Sequence, residues 1–303
     1  MSRIHDALKK AAREKQNTAP REAGEVVNLQ GSATEEMPSN GLGDLADTAA
    51  RQHLLGLDLP EINTKWCEAL ETSTWAPDPS RLLVLGQSSP DPSVEAFRTL
   101  RTRLNLLRKQ RSLHRILISS PLSQDGKTFV VANLAQALAQ QGCRVLLIDG
   151  DLRFSKLHLT FGAPPTPGLT EYLKGNCGEE MIVQKGSVQN IFLVPGGSHT
   201  EEATELLTNG RLEGLLRKWS ASFDWIVFDS PPVVPVSDAK ILGELCDGVL
   251  MVVRSGSTTL TWAQKACREF GDKQLLGIVL NRVSSRSAYS SSRYYMEANR
   301  PNA

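Results

Sequence analysis

The chain has 303 residues, 40% of them apolar and 22% charged, with a formal net charge of +1 at pH 7. That is apolar content for a sizeable core in one large or two small domains, and a charge balance that points to no nucleic-acid partner. The five cysteines are odd in number and form no C-x-x-C pair, which argues against a disulfide framework or a zinc site and suits a reduced, cytosolic protein.

In chain order, residues 1–15 come first. Ile4, Ala7, Leu8 and Ala11 share one helical face, Ser2 is a cap, and Lys9, Lys10, Arg13 and Lys15 weight the far end, so a short amphipathic helix is expected. The start lacks the apolar stretch of a signal peptide, and no run reaches the ~18 apolar residues of a membrane span. Residues 16–80 are rich in Gly, Ser, Thr, Asn, Pro and acids and read as a disordered linker, with Trp66 and Trp75 as exceptions able to pack on the domain or on a partner. Residues 81–283 alternate short Val/Ile-rich runs with amphipathic stretches. Strands are expected at Ile116–Ser119, Val145–Asp149, Ile191–Val194, Trp225–Asp229, Val249–Val253 and Ile278–Asn281. Helices are expected at Thr128–Gln140, Glu202–Trp219 and Thr261–Phe270. The fold class is therefore α/β, a parallel sheet with helices on both faces. Residues 284–303 form a serine-rich tail with no apolar period and three tyrosines, Tyr289, Tyr294 and Tyr295, expected to be flexible.

The chemistry starts at the end of the first strand, where Ser119 to Thr128 read SSPLSQDGKT before a helix. Strand, tight loop and Gly-Lys-Thr make a phosphate loop. Loop N–H groups and the helix N-terminus face phosphate oxygens, the Lys127 ammonium reaches the β and γ phosphates, and the Thr128 hydroxyl is a hard ligand for Mg²⁺. The usual leading glycine is Pro121 here, and Gln124 takes a position usually small. Two more strands end in acids, Asp149 with Asp151 on one and Asp229 on the other, at the edge where open α/β sheets bind ligands. Acids around one lysine suit metal-assisted phosphoryl transfer. The expected nucleotide-binding residues of the loop are Asp125, Gly126, Lys127, Thr128 and Phe129. The expected metal side is Thr128, Asp151 and Asp229.

The order of motifs over about 89–292 resembles the bacterial tyrosine kinases of capsule and exopolysaccharide systems, a branch of the MinD/ParA-like P-loop ATPases. The matching landmarks are Asp149, Asp151 and Arg153 (D-x-D-x-R), then Asp229, Pro231 and Pro232 (D-x-P-P), and the Gly277–Asn281 strand, whose Asn lies near the adenine in related ATPases. Glu95, Arg98 and Arg101 match an E-x-x-R-x-x-R helix that mediates ring-like self-assembly in that family, and the tail tyrosines match its phosphoacceptor cluster. The resemblance adds Arg153 and Asn281 to the expected nucleotide-binding residues. It implies a cytoplasmic, Mg²⁺- and ATP-dependent autokinase acting in trans on its own tail. Asp149 would activate the tyrosine hydroxyl, and Asp151 and Asp229 would arrange the metal. A separate membrane chain-length regulator would be its partner and would hold it at the inner face of the plasma membrane. The alternatives are a non-kinase MinD/ParA-like ATPase switch and a nucleotide-binding scaffold. The H-R-D, D-F-G and Gly-rich motifs of eukaryotic-type kinases do not occur in the sequence.

Overall fold

The short apolar runs become the strands of one seven-stranded sheet, because residues buried on both faces need no alternation. The structure, a computed structural model, describes residues 65–82, 92–271 and 274–283. The expected N-terminal helix, most of the linker and the tyrosine tail lie outside these residues.

The elements run α1 (Lys65–Glu68), α2 (Pro92–Arg108), β1 (Arg115–Ser119), α3 (Lys127–Ala139), β2 (Val145–Asp149), α4 (Leu157–Phe161) and α5 (Leu169–Leu173). After a single 3₁₀ turn come β3 (Gln184–Lys185), β4 (Ile191–Val194), α6 (Ala203–Thr208), α7 (Arg211–Trp219) and β5 (Trp225–Asp229). The series ends with α8 (Asp238–Glu244), β6 (Gly248–Arg254), α9 (Leu260–Glu269) and β7 (Leu275–Asn281). The strand order is β3-β4-β2-β5-β1-β6-β7, and every pairing is parallel except β3 with β4. In register, Asp149 stands beside Asp229 and Ile118 beside Asp229. Three C-terminal strand ends, β2, β5 and β1, therefore meet at one level. Among the described residues no helix is long and apolar enough to cross a membrane.

Two expectations about elements are corrected. The single helix expected over Glu202–Trp219 is two, α6 and α7. Gly210 between them is left-handed at φ 80°, which ends the first run and starts the second in a new direction. The linker expected to extend to residue 80 ends earlier, because residues 65–82 are ordered against the domain. Trp66 donates its indole N–H to Ser222 Oγ at 2.8 Å and stacks on Trp219 with ring centroids 6.4 Å apart. Trp75 is buried beside Phe161, at 5.4 Å between centroids. Thr72 bridges Lys185 in parallel, and the Ser73 N–H donates to the Lys185 carbonyl at 2.7 Å. The segment thus covers the open edge at β3, which would otherwise present unpaired backbone groups. Trp66 and Trp75, the two exceptions marked in the sequence, supply this packing, whereas the polar composition around them carries no period.

Candidate active site

The phosphate loop is built by the turn after β1. Gly126 has φ 98°, and a Cβ there would lie 2.0 Å from Asn281 Nδ2, so only glycine fits between the loop and β7. Gln124 is also left-handed, at φ 65°, a cost the loop accepts without a small residue. Asp125 is buried and braces the turn. Its carboxylate accepts from Thr258 Oγ1 at 2.6 Å and from the Leu122 N–H at 3.1 Å, and its carbonyl accepts from Asn281 Nδ2 at 2.9 Å. The Asp125 and Asn281 side chains, expected at the nucleotide, also hold the loop's shape. Phe129 likewise turns its ring to Phe97 of α2, with centroids 5.9 Å apart, so only its backbone is left to face a phosphate.

Lys127 opens α3 and is only 8% exposed. Its charge lowers the pKa of both Asp151 and Asp229, which places it within electrostatic reach of both. The next residue, Thr128, donates its hydroxyl to Asp229 Oδ2 at 2.6 Å. Asp229 is buried, and its pKa is raised, first by burial and then by the charge of Asp149. The close approach of β2 and β5 that sets this pair is secured at Gly150. Its N–H donates to the Asp229 carbonyl at 2.8 Å, and a Cβ there would meet Leu242 at 2.6 Å.

Asp149 is fully buried and accepts four hydrogen bonds. Oδ2 accepts from Ser155 Oγ at 2.7 Å and from the N–H groups of Lys156 and Leu157 at 3.0 Å each, and Oδ1 accepts from the Asp151 N–H at 3.2 Å. Burial still raises its pKa. This carboxylate shapes the 150–157 turn and caps α4. Among the described residues its Oδ1 carries only the one hydrogen bond, from the Asp151 N–H. Asp151 is less engaged. Its Oδ1 accepts from the Phe154 N–H at 2.9 Å, and among the described residues no hydrogen bond engages Oδ2. Its pKa is raised, chiefly by burial, with Lys127 pulling the other way.

Arg153 is committed elsewhere. Its Nε donates to Asp238 Oδ2 at 2.9 Å, Nη1 to the Glu201 carbonyl at 3.1 Å and Nη2 to Thr204 Oγ1 at 3.2 Å. Thr204 in turn donates to Asp238 Oδ1 at 2.6 Å. Arg153 therefore clamps the turn after β2 to α6 and α8. Asp238 and Thr204 are the site-supporting residues that the sequence reading missed. Asp238 follows Pro235-Val236-Ser237 in a segment marked only as a family landmark, and its pairing with Arg153 across 85 positions has no local signal.

The Glu95, Arg98 and Arg101 stripe is split. Glu95 and Arg98 are exposed and pair at 3.3 Å. Arg101 is partly buried, and its Nη1 donates to the Ala137 carbonyl in the last turn of α3 at 2.8 Å. Arg101 thus ties α2 to α3 within one chain.

Residues 116–302 match the family of CobQ/CobB/MinD/ParA nucleotide-binding domains. Tyrosine-protein kinase YwqD of Bacillus subtilis is 35% identical over 199 residues, covering 64% of this chain and 84% of that protein. Tyrosine-protein kinase CpsD of Streptococcus agalactiae is 34% identical over 197 residues, with the same two shares, 64% and 84%. The putative tyrosine-protein kinase EpsB of Ralstonia nicotianae is 34% identical over 195 residues, but the match spans only 26% of its length. The kinase domain of Escherichia coli tyrosine kinase ETK superposes with a TM-score of 0.65 at 27% identity, over 78% of this chain and 93% of that one. A nucleotide-binding fold of this kind, matched over most of the length of two tyrosine kinases, leaves one family: this chain is a member of the bacterial tyrosine-protein kinases within the CobQ/CobB/MinD/ParA nucleotide-binding group.

Proposed function

We propose that this chain transfers the γ-phosphoryl group of ATP to tyrosine hydroxyls, with Tyr289, Tyr294 and Tyr295 of a second copy as the acceptors. The observation that carries the reading is the convergence of Lys127, the Thr128–Asp229 pair at 2.6 Å and Asp151 where β1, β2 and β5 end together. Loop N–H groups and Lys127 hold the phosphates. The Thr128 hydroxyl and the Asp229 carboxylate are two hard oxygen ligands in contact, and they fit Mg²⁺. Among the described residues no group of three or more His, Cys, Asp or Glu side chains is arranged to hold a metal. That suits a cation which keeps several waters and shares its shell with phosphate oxygens. Bound Mg²⁺ would neutralise charge on the β and γ phosphates.

The phenolic oxygen bonds to the γ phosphorus as the bond to the β–γ bridging oxygen breaks, and ADP leaves. A phenol with an ordinary pKa near ~10 must lose its proton, and Asp151 Oδ2 takes it. Asp149 positions Asp151 through the turn. In the cell the reading extends to exopolysaccharide polymerisation and export, with a separate membrane chain-length regulator as partner and the inner face of the plasma membrane as the working place. Loss of polymer chain-length control on deletion of the gene would support that setting, and unchanged polymer would remove it.

The test of the reading is Lys127→Ala. Tail phosphotyrosine formed with Mg-ATP should fall at least ~10²-fold, with the far-UV spectrum unchanged. Labelling at the wild-type rate would refute it.

A further inference from the structure

Phe154 is the most exposed large apolar side chain among the described residues, at 69%. Single exposed apolar residues are ordinary. Phe154 differs in where it is and in how firmly it is held. Its own N–H donates to Asp151 Oδ1 at 2.9 Å, so it is one hydrogen bond from the acid assigned to the acceptor. The turn beneath it is fixed by the four hydrogen bonds to Asp149 and by the clamp of Arg153 onto Asp238 and Thr204. Its ring faces a second ring, His199, with centroids 6.2 Å apart and planes inclined at 46°.

His199 is held as well. Nδ1 lies 2.7 Å from the Arg153 carbonyl and Nε2 lies 3.1 Å from Glu201 Oε1. Both partners are acceptors, so both ring nitrogens donate and the imidazolium form satisfies the pair. The Arg153 carbonyl and Glu201 raise its pKa accordingly. The result is an apolar ring and an imidazole whose two nitrogens both face acceptors, both solvent-exposed, on a turn held by backbone hydrogen bonds beside Asp151.

We propose that Phe154 and His199 form a platform for the phenol ring of the acceptor tyrosine, carried by residues 284–303 of a second copy of this chain. This rests on the tyrosine-kinase reading above. Offset or edge contact of a phenol with Phe154 is favourable, and the electron-rich ring face suits the cation of His199. The surroundings match the segment in charge. Glu201, Glu202 and Glu205 are exposed next to His199 and along α6, whereas residues 284–303 carry Arg286, Arg293 and Arg300 against the single acid Glu297. The platform also selects tyrosine. An aliphatic hydroxyl has no ring to rest on Phe154 and is too short to reach Asp151 from it.

The experiment uses the full chain with Tyr289, Tyr294 and Tyr295 replaced by serine, given Mg-ATP and a synthetic peptide of residues 284–303. Phe154→Ala should raise the peptide KM roughly fivefold, with kcat and the ATP KM changed by less than about twofold. Phe154→Trp should restore the peptide KM, and a peptide with serine at the three tyrosines should take no phosphate. An active parent whose Phe154→Ala variant keeps its peptide KM overturns the platform. So does a variant whose ATP KM rises in step with the peptide KM, since the turn and not the ring would then be at fault. A parent that leaves the peptide unphosphorylated refutes the tail-kinase reading itself, and the platform with it.

Discussion

Asp149 and Asp151 leave the end of β2 two positions apart and meet different surroundings. The first is sealed in and accepts four hydrogen bonds; the second keeps one oxygen free near Lys127. If Asp151 takes the phenolic proton, its charged form is the active one, so activity rises with pH through its pKa. Burial sets that pKa above the model-compound value of 3.8, which moves the acid limb upward. Asp151→Asn is expected to lower kcat about 10²-fold and to flatten that limb, with nucleotide affinity retained. A pH–rate profile of the variant that keeps the parent's acid limb would reassign the proton to another group. Asp125 and Asn281 show the same lesson in reverse. Both are where a nucleotide contact is expected, and both also shape the loop.

At the scale of elements, α2 illustrates how one stripe divides. Spacings of three and six residues align Glu95, Arg98 and Arg101 along the helix, but α3 packs under only part of that line. Arg101 reaches the α3 C-terminus, where a cation and a donor are both favourable, while Arg98 stays in water with Glu95. The two arginines should therefore separate in experiment. Arg101→Ala is expected to cost about 1 kcal/mol of stability in urea denaturation, whereas Arg98→Ala should leave stability unchanged and weaken self-association, read by sedimentation. Equal loss of stability from both, or an unaltered Arg98→Ala assembly, contradicts this division. The segment 65–82 makes a similar point for edges. Trp66 and Trp75 turn a polar stretch into a cover for β3, each anchored by rings that come from distant parts of the chain.

Across the whole molecule the sheet separates functions by its two ends. The C-terminal ends of β1, β2 and β5 carry the candidate site. The opposite end carries a structural polar cluster in which Asp247 Oδ2 accepts from the N–H groups of His114 and Arg115 at 2.8 and 2.7 Å. His114 Nε2 meets the Phe223 carbonyl and so donates as the neutral tautomer. Its pKa is lowered, first by burial; Arg108 and Arg115 push the same way, and Asp247 and the Phe223 carbonyl oppose them. A histidine whose folded pKa lies below the unfolded value of 6.5 takes up its proton more readily when unfolded. Its contribution is complete above that value and is lost as pH falls below it. Urea midpoints are expected to drop between pH 7.5 and pH 5.5, and His114→Gln, which keeps a donor for the carbonyl, should lessen the drop. An undiminished drop in that variant would place the acid sensitivity elsewhere.

Much of this was legible in the linear chain, and for local reasons. Buried strands announce themselves as short Val/Ile/Leu runs, a phosphate loop needs its glycine, lysine and hydroxyl consecutively, and strand-end acids follow directly on apolar runs. Hence the parallel sheet, Lys127, Thr128 and the acids Asp149, Asp151 and Asp229 could be read without coordinates. What each residue does with its polar atoms was decided only by the tertiary structure, because partners lie far off in sequence. Asp125 is 133 positions from Thr258, Arg153 is 85 from Asp238, and Trp66 is 156 from Ser222. The residue types were therefore set by the sequence. Folding then divided them into groups left free to meet a ligand and groups already satisfied within the chain, since a buried polar group must find its partner wherever the fold puts one.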